Sequence, residues 1–197
     1  MSEYTALREV SNAIVARLTV EFTAEPLLNA LLGMGYVISL RTPAEMLSAA
    51  PQQTGLSVWL YEVSRAEFLN NRPLERVGPD LVRKAPIPVS LHYLMTPIAD
   101  DSANEQLILG KVLQVFNDEP VFRVNPAHPE LTDEVRVALE NPGMEVLSKL
   151  WSALTEPYRL CASYLAQTVN IRSAEEPMHR PPVLQKIAGY EQVLSST

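Results

Sequence analysis

Cysteine occurs once in this chain of 197 residues, at Cys161. That excludes an internal disulfide and any zinc site built from several thiolates. Histidine is nearly as scarce: His92, His128 and His179 form no HExxH and no pair at ligand spacing, so no metal and no cofactor is expected. Seven glycines are present, none in the GxGxxG or GxxxxGK(S/T) spacing that cradles phosphate. Positive charge is short as well, with 16 Lys and Arg against 23 Asp and Glu for a net charge of −7. A nucleic-acid binder needs the opposite sign to displace counterions. Apolar runs are short and interrupted, so no segment reads as membrane-spanning. The opening MSEYTALREVSN lacks a basic region followed by an apolar stretch, so it does not read as a secretory signal, and folding in a reducing cytosol is expected.

What remains is an ordinary globular composition, 47% apolar and 20% charged, long enough to bury a core in one domain. From about Glu3 to Val20, Leu7, Val10, Ile14 and Leu18 recur at spacings of three and four, which predicts an amphipathic helix. Pro26 suits the first turn of a second helix carrying Leu27, Leu28, Leu31 and Leu32. YVISL reads as a short strand and RTPAEMLSAAPQQTG as a loop with one helical turn. GLSVWLYEV is a strand with two largely apolar faces, as expected of an interior strand covered on both sides. IPVSLHYLM alternates, with Val89, Leu91, Tyr93 and Met95 on one face; Pro86 and Pro88 place its start at an edge or before pairing begins. EVRVALE reads as a one-sided strand with Val135, Val137 and Leu139 inward. Asn141 and Pro142 predict a helix start, with Met144, Leu147, Trp151 and Leu154 as the buried face. YRLCASYLAQTVNI closes the series as a long strand. These residues predict an α/β domain.

Between the second and third strands lies RPLERVGPDLVRK, where Arg72, Arg76, Arg83 and Lys84 outnumber Glu75 and Asp80. It reads as a loop, either a solvated connection or a docking surface. From Ser173 the chain turns proline-rich. Pro177, Pro181 and Pro182 stiffen it ahead of Val183, Leu184, Ile187 and Tyr190, which are too few for a core. This segment is either a loosely ordered terminus or an arm that docks on a neighbouring subunit.

The stretch PVSLHYLMTPIADDSANEQLILGKVLQVF carries the residue types of an active site, and each has a plainer use. Ser102 and Glu105 have capping-box spacing, followed by an apolar face of Leu109, Val112, Leu113 and Phe116. Asp100 and Asp101 sit where a helix dipole favours negative charge. His92 reads as a half-buried strand residue, since nothing at ligand or triad spacing accompanies it. Cys161 lacks a cationic partner and reads as a small core or sheet residue. A small hydrolase would need a clustered base and nucleophile that the sequence does not announce, so no catalytic residue is predicted.

In order along the chain, GLSVWLYEVSRAEFLNNRPL, PVSLHYLMTPIADDSANEQLILGKVLQVFNDEPVF, VRVALEN and EVLSKLWSALTEPYRLCASYLAQTVNI resemble one family. It is the N-terminal domain of the cap, or tail-terminator, proteins of extracellular contractile injection systems of the antifeeding prophage and Photorhabdus virulence cassette type. The resemblance covers about residues 4–172. It implies an α+β fold with a mixed, largely antiparallel sheet and helices packed on it, similar to phage tail terminators. It also implies a non-catalytic structural protein of a bacterial particle, assembled in the cytoplasm as a homohexameric ring on inner tube protein and, in some members, sheath protein. The expected division is a terminator-like domain over residues 1–172 and an extended arm over 173–197. The expected contacts are Arg65, Asn70, Asn71, Arg72, Leu74, Arg76, Arg83 and Lys84 of the basic loop, and Val183, Leu184, Ile187 and Tyr190 of the arm. The competing expectation is a monomeric adaptor or chaperone-like module for a tube or effector protein.

Overall fold

Apolar spacing builds the first layer. The computed structural model describes residues 3–32, 35–49, 54–66, 73–124, 133–171 and 175–180. After a 3-10 turn, α1 (Ala6–Thr23) buries Ala6, Val10, Ile14, Leu18 and Phe22, the stripe that the 3.6-residue period dictates. A short α2 (Pro26–Leu32) follows, with Pro26 at its start and Leu28 buried. The second long helix, α4 (Ser102–Asp118), buries Ile108, Leu109, Val112, Val115 and Phe116. Leu113, expected on that face, is exposed.

Strands β1 (Val37–Ser39), β2 (Gly55–Arg65), β5 (Ile87–Ile98), β6 (Val121–Val124), β7 (Asp133–Glu140) and β8 (Ala162–Ile171) form a six-stranded sheet. Its order is β1-β2-β5-β8-β7-β6. The β1–β2 pair is parallel and the other pairs are antiparallel, which fits the expected mixed, largely antiparallel sheet. Because side chains alternate, one face presents Leu56, Val58, Leu91, Tyr93, Met95, Val135, Val137, Tyr164 and Ala166 to α1 and α4 as a single core. Tyr93 in its centre shares a hydrogen bond of 2.8 Å with Ser11 of α1. A second sheet joins β3 (Glu75–Arg76), β4 (Leu81–Arg83) and β9 (Met178–His179).

Five expectations change on this frame. The capping box is not at Ser102: Asp101 is the N-cap and accepts from the Ala103 N–H at 3.3 Å. Glu105 is turned inward to receive Arg159 at 2.8 Å. A capping box does form at Thr42–Glu45, at the start of α3 (Pro43–Leu47), a segment expected to be mostly loop. Helix α5 (Met144–Ala153) begins after Gly143, whose φ of 80° is open to glycine, so the Asn141–Pro142 pair lies before the helix. Of the face expected to be buried there, Trp151 is buried and Met144 is 63% exposed. The last strand begins at Ala162, four residues later than its apolar run suggested.

Sheet coverage also differs. Strand β2 is buried from Gly55 to Val58 but half-buried or exposed from Trp59 to Arg65. The reason is that α3 covers only the β1 end of the second face, where Ser57 Oγ donates to the Arg41 carbonyl at 2.7 Å. Leu139 shares a face with Val135 and Val137 yet is 61% exposed. It lines an open groove of about 610 Å³ with Leu113, Phe116 and Tyr164.

Candidate functional site

Two segments expected to make contacts meet in one place. The basic loop is a β-hairpin in which Glu75 pairs with Arg83 and Arg76 with Val82. The far side of β4 pairs with the start of the proline-rich segment, Leu81 with His179 and Val82 with Met178. The Arg180 N–H donates to the Asp80 carbonyl at 2.7 Å, and Lys84 Nζ lies 2.6 Å from Glu175. Leu74, Arg76 and Lys84 are exposed and Arg83 is half-buried. Asn70, Asn71, Arg72, Val183, Leu184, Ile187 and Tyr190 lie outside the described residues. The Lys84–Glu175 pair is solvent-exposed and contributes little by itself; the main-chain ladder is what fixes the segment.

Arg65 ends β2, and β2 carries the longest open edge among the described residues. One side of it pairs with β5 along its whole length, while the other meets β1 only at Gly55, Leu56 and Ser57. The phase of the ladder follows from one bond, Ala66 N–H to the Pro88 carbonyl at 3.0 Å. In an antiparallel pair the polar groups of successive residues point to opposite sides. Ser64 and Glu62 therefore bond toward β5, and Val63 and Arg65 direct their N–H and C=O groups outward. A bulge between Leu60 and Glu62 adds twist there.

On the second sheet face, beyond α3, the structure corrects the reading of His92. It is half-buried as expected, but it has partners that sequence spacing hid. Its Nε2 lies 2.8 Å from Ser64 Oγ and its Nδ1 lies 2.9 Å from Glu140 Oε2. Glu140 also accepts from Ser163 Oγ at 3.3 Å, and Ser163 is 3.1 Å from the Tyr61 hydroxyl. The partners stand on three other strands, 28 and 48 residues from His92 for Ser64 and Glu140. No local motif could announce them; only the sheet order brings them together. Cys161, expected in the core or the sheet, lies half-buried one residue before β8, and burial pushes its thiol up. Among the described residues no group of three or more His, Cys, Asp or Glu could hold a metal ion, and no helix is long and apolar enough to cross a membrane.

No curated protein matches the chain. Solved structures share its fold, two of them terminators. One is described as the sheath/tube terminator of an extracellular contractile injection system, PVC, in its extended state. It has a TM-score of 0.55 and 18% identity, covering 93% of this chain and 65% of that one. The other is the anti-feeding prophage cap, a tube-terminating cap, with a TM-score of 0.55 and 16% identity over 84% of this chain and 58% of that one. This chain thus spans roughly three fifths of the length of these relatives. The profile of the Pvc16 N-terminal domain matches residues 9–185. By that match over most of its length, the chain belongs to the Pvc16 N-terminal domain family.

Proposed function

We propose that this chain is a structural cap, a tail terminator that sits on the end of the inner tube, the sheath or both in a contractile injection particle and stops elongation. The observation that carries this reading is the fold shared with two terminators over 93% and 84% of the chain. Physics makes the role specific. Tubes and sheaths grow by head-to-tail contacts that do not close, so the stack has no natural end. A terminator must reproduce one half of the growth contact and lack the other.

The cap works by shape, as a homohexameric ring with the tube and sheath proteins as its partners and no nucleic acid or membrane. Residues 1–172 form the ring-building domain and residues 173–197 an arm. The open edge of β2 suits lateral contact, because strand addition supplies main-chain hydrogen bonds without a deep pocket. The hairpin with Leu74, Arg76, Arg83 and Lys84, Arg65 beside it, and the arm with Val183, Leu184, Ile187 and Tyr190 make the contacts to neighbouring subunits or to tube and sheath. Assembly takes place in the bacterial cytoplasm before any release.

Electron microscopy of particles lacking this protein tests the role. Over-long or ragged tubes are expected; normal tubes with missing cargo would instead identify an escort protein. Light scattering on the purified chain and on a variant lacking 174–197 tests the arm, and a ring of unchanged mass after truncation would count against it.

A further inference from the structure

Ser64, His92 and Glu140 stand in the order that activates a hydroxyl. The two ring nitrogens of one imidazole face a serine on one side and a carboxylate on the other, at 2.8 and 2.9 Å. A carboxylate can only accept, so the proton on the neutral ring is held at Nδ1, and Nε2 presents its lone pair to Ser64. Ser64 is then the donor, with its proton already directed at the base. Ser163 Oγ donates to the same Glu140 oxygen, Oε2, at 3.3 Å, which fixes that oxygen in front of the ring. The His92 and Glu140 side chains are 13% and 27% exposed, sheltered enough to hold geometry and open enough to be reached.

We propose that Ser64 is an activated nucleophile toward small carboxylic esters, with His92 as its general base and Glu140 as the residue that positions His92. This assignment concerns the free chain, because a neighbour's strand docked on the β2 edge would take the Arg65 N–H; labelling and assembly are read separately, so either reading can fail without the other. The arrangement is recognised by geometry and roles rather than by position in the chain. It also has a donor for the developing oxyanion: the Arg65 N–H, next in sequence to the nucleophile, points to the open edge of β2, where no described strand accepts it. The residue after the nucleophile supplies such a donor in other serine hydrolases.

In the step, Ser64 Oγ bonds to the ester carbonyl carbon while its proton passes to His92 Nε2. Collapse of the tetrahedral adduct expels the alkoxide, which takes that proton and leaves as the alcohol. Water then attacks the acyl-serine with His92 again accepting the proton. The carboxylic acid departs and Ser64 is restored. A fluorophosphonate arrests the same sequence at a phosphonyl-serine, with fluoride as the leaving group.

The full chain incubated with a fluorophosphonate probe and mapped by peptide mass spectrometry provides the test. Labelling is expected at Ser64 and lost in Ser64→Ala. It should slow about a hundredfold or more in His92→Ala and at least about tenfold in Glu140→Gln. Glu140→Gln should also lose the downfield proton resonance of the His92 Nδ1–H while keeping the wild-type thermal midpoint, which separates positioning from folding. In case Ser64→Ala unfolds, Ser64→Cys alkylated by iodoacetamide gives a second reading, with a slower rate expected once His92→Ala is added. Label spread over several serines in proportion to exposure, or Ser64 labelled at the wild-type rate without His92, overturns the proposal.

Discussion

Tyr93 shows how much one core side chain can commit. Burial raises its hydroxyl to about 12, against a lowering hydrogen bond with Ser11, and burial raises Tyr164 to about 12 as well. A folded-state value above the unfolded one means that the folded chain holds the proton more tightly. The stability is therefore intact below about pH 10 and lost as pH rises toward 12. One such tyrosine costs about 1.4 kcal/mol per pH unit in that window. Urea titrations between pH 9 and 12 should show this decline, and Tyr93→Phe should make it shallower, leaving the part due to Tyr164, while costing about 1 kcal/mol at neutral pH for the lost bond. Gly55 makes a different commitment. A Cβ there would fall on the Val37 carbonyl oxygen and 2.7 Å from its nitrogen, and backbone cannot turn aside as a side chain can. Gly55→Ala should cost about 2–3 kcal/mol, a fall of roughly 5–10 °C in the thermal midpoint.

At the scale of the element, proline distinguishes the two sides of β2. Val63→Pro removes an N–H that the chain's own ladder does not use, so the monomer should lose no more than about 1 kcal/mol. Ser64→Pro removes a bond to β5 and should cost about 3 kcal/mol or more. If neighbours add to this edge, Val63→Pro should also abolish the oligomer in light scattering at full monomer stability. The periodic elements were legible in sequence: α1, α4, β5 and the inward set of β7 up to Val137 follow from spacing alone. The failures were local and physical. At Ser102 the spacing of a capping box was right, but Asp101 lay one residue nearer and Glu105 had a better partner in Arg159. In α5 and at Leu139 the apolar pattern was real, but the described residues do not cover it. The His92 cluster was unreadable because its members are joined by sheet order and not by spacing.

For the whole molecule, an apolar pattern without cover is itself informative, since one chain cannot bury what its own elements do not reach. Leu139 and Met144 are 61% and 63% exposed, so Leu139→Glu with Met144→Glu should leave the monomer midpoint within about 0.5 kcal/mol of wild type. If these residues touch tube, sheath or a neighbour, the same variant should fail to join particles in a co-sedimentation assay. Retained co-sedimentation would place the contact elsewhere, with the hairpin next in line. The short parallel strand β1 has a further effect on such assembly. It occupies the edge of β2 only through Ser57 and so acts as an end-stop: an incoming strand can slide along Val58–Arg65 until it abuts Ser39 and no farther. That leaves a berth of about 26 Å. A slip of one residue inverts which side chains face each way, so a doorstop three residues long would set the angular placement of every neighbour that docks there.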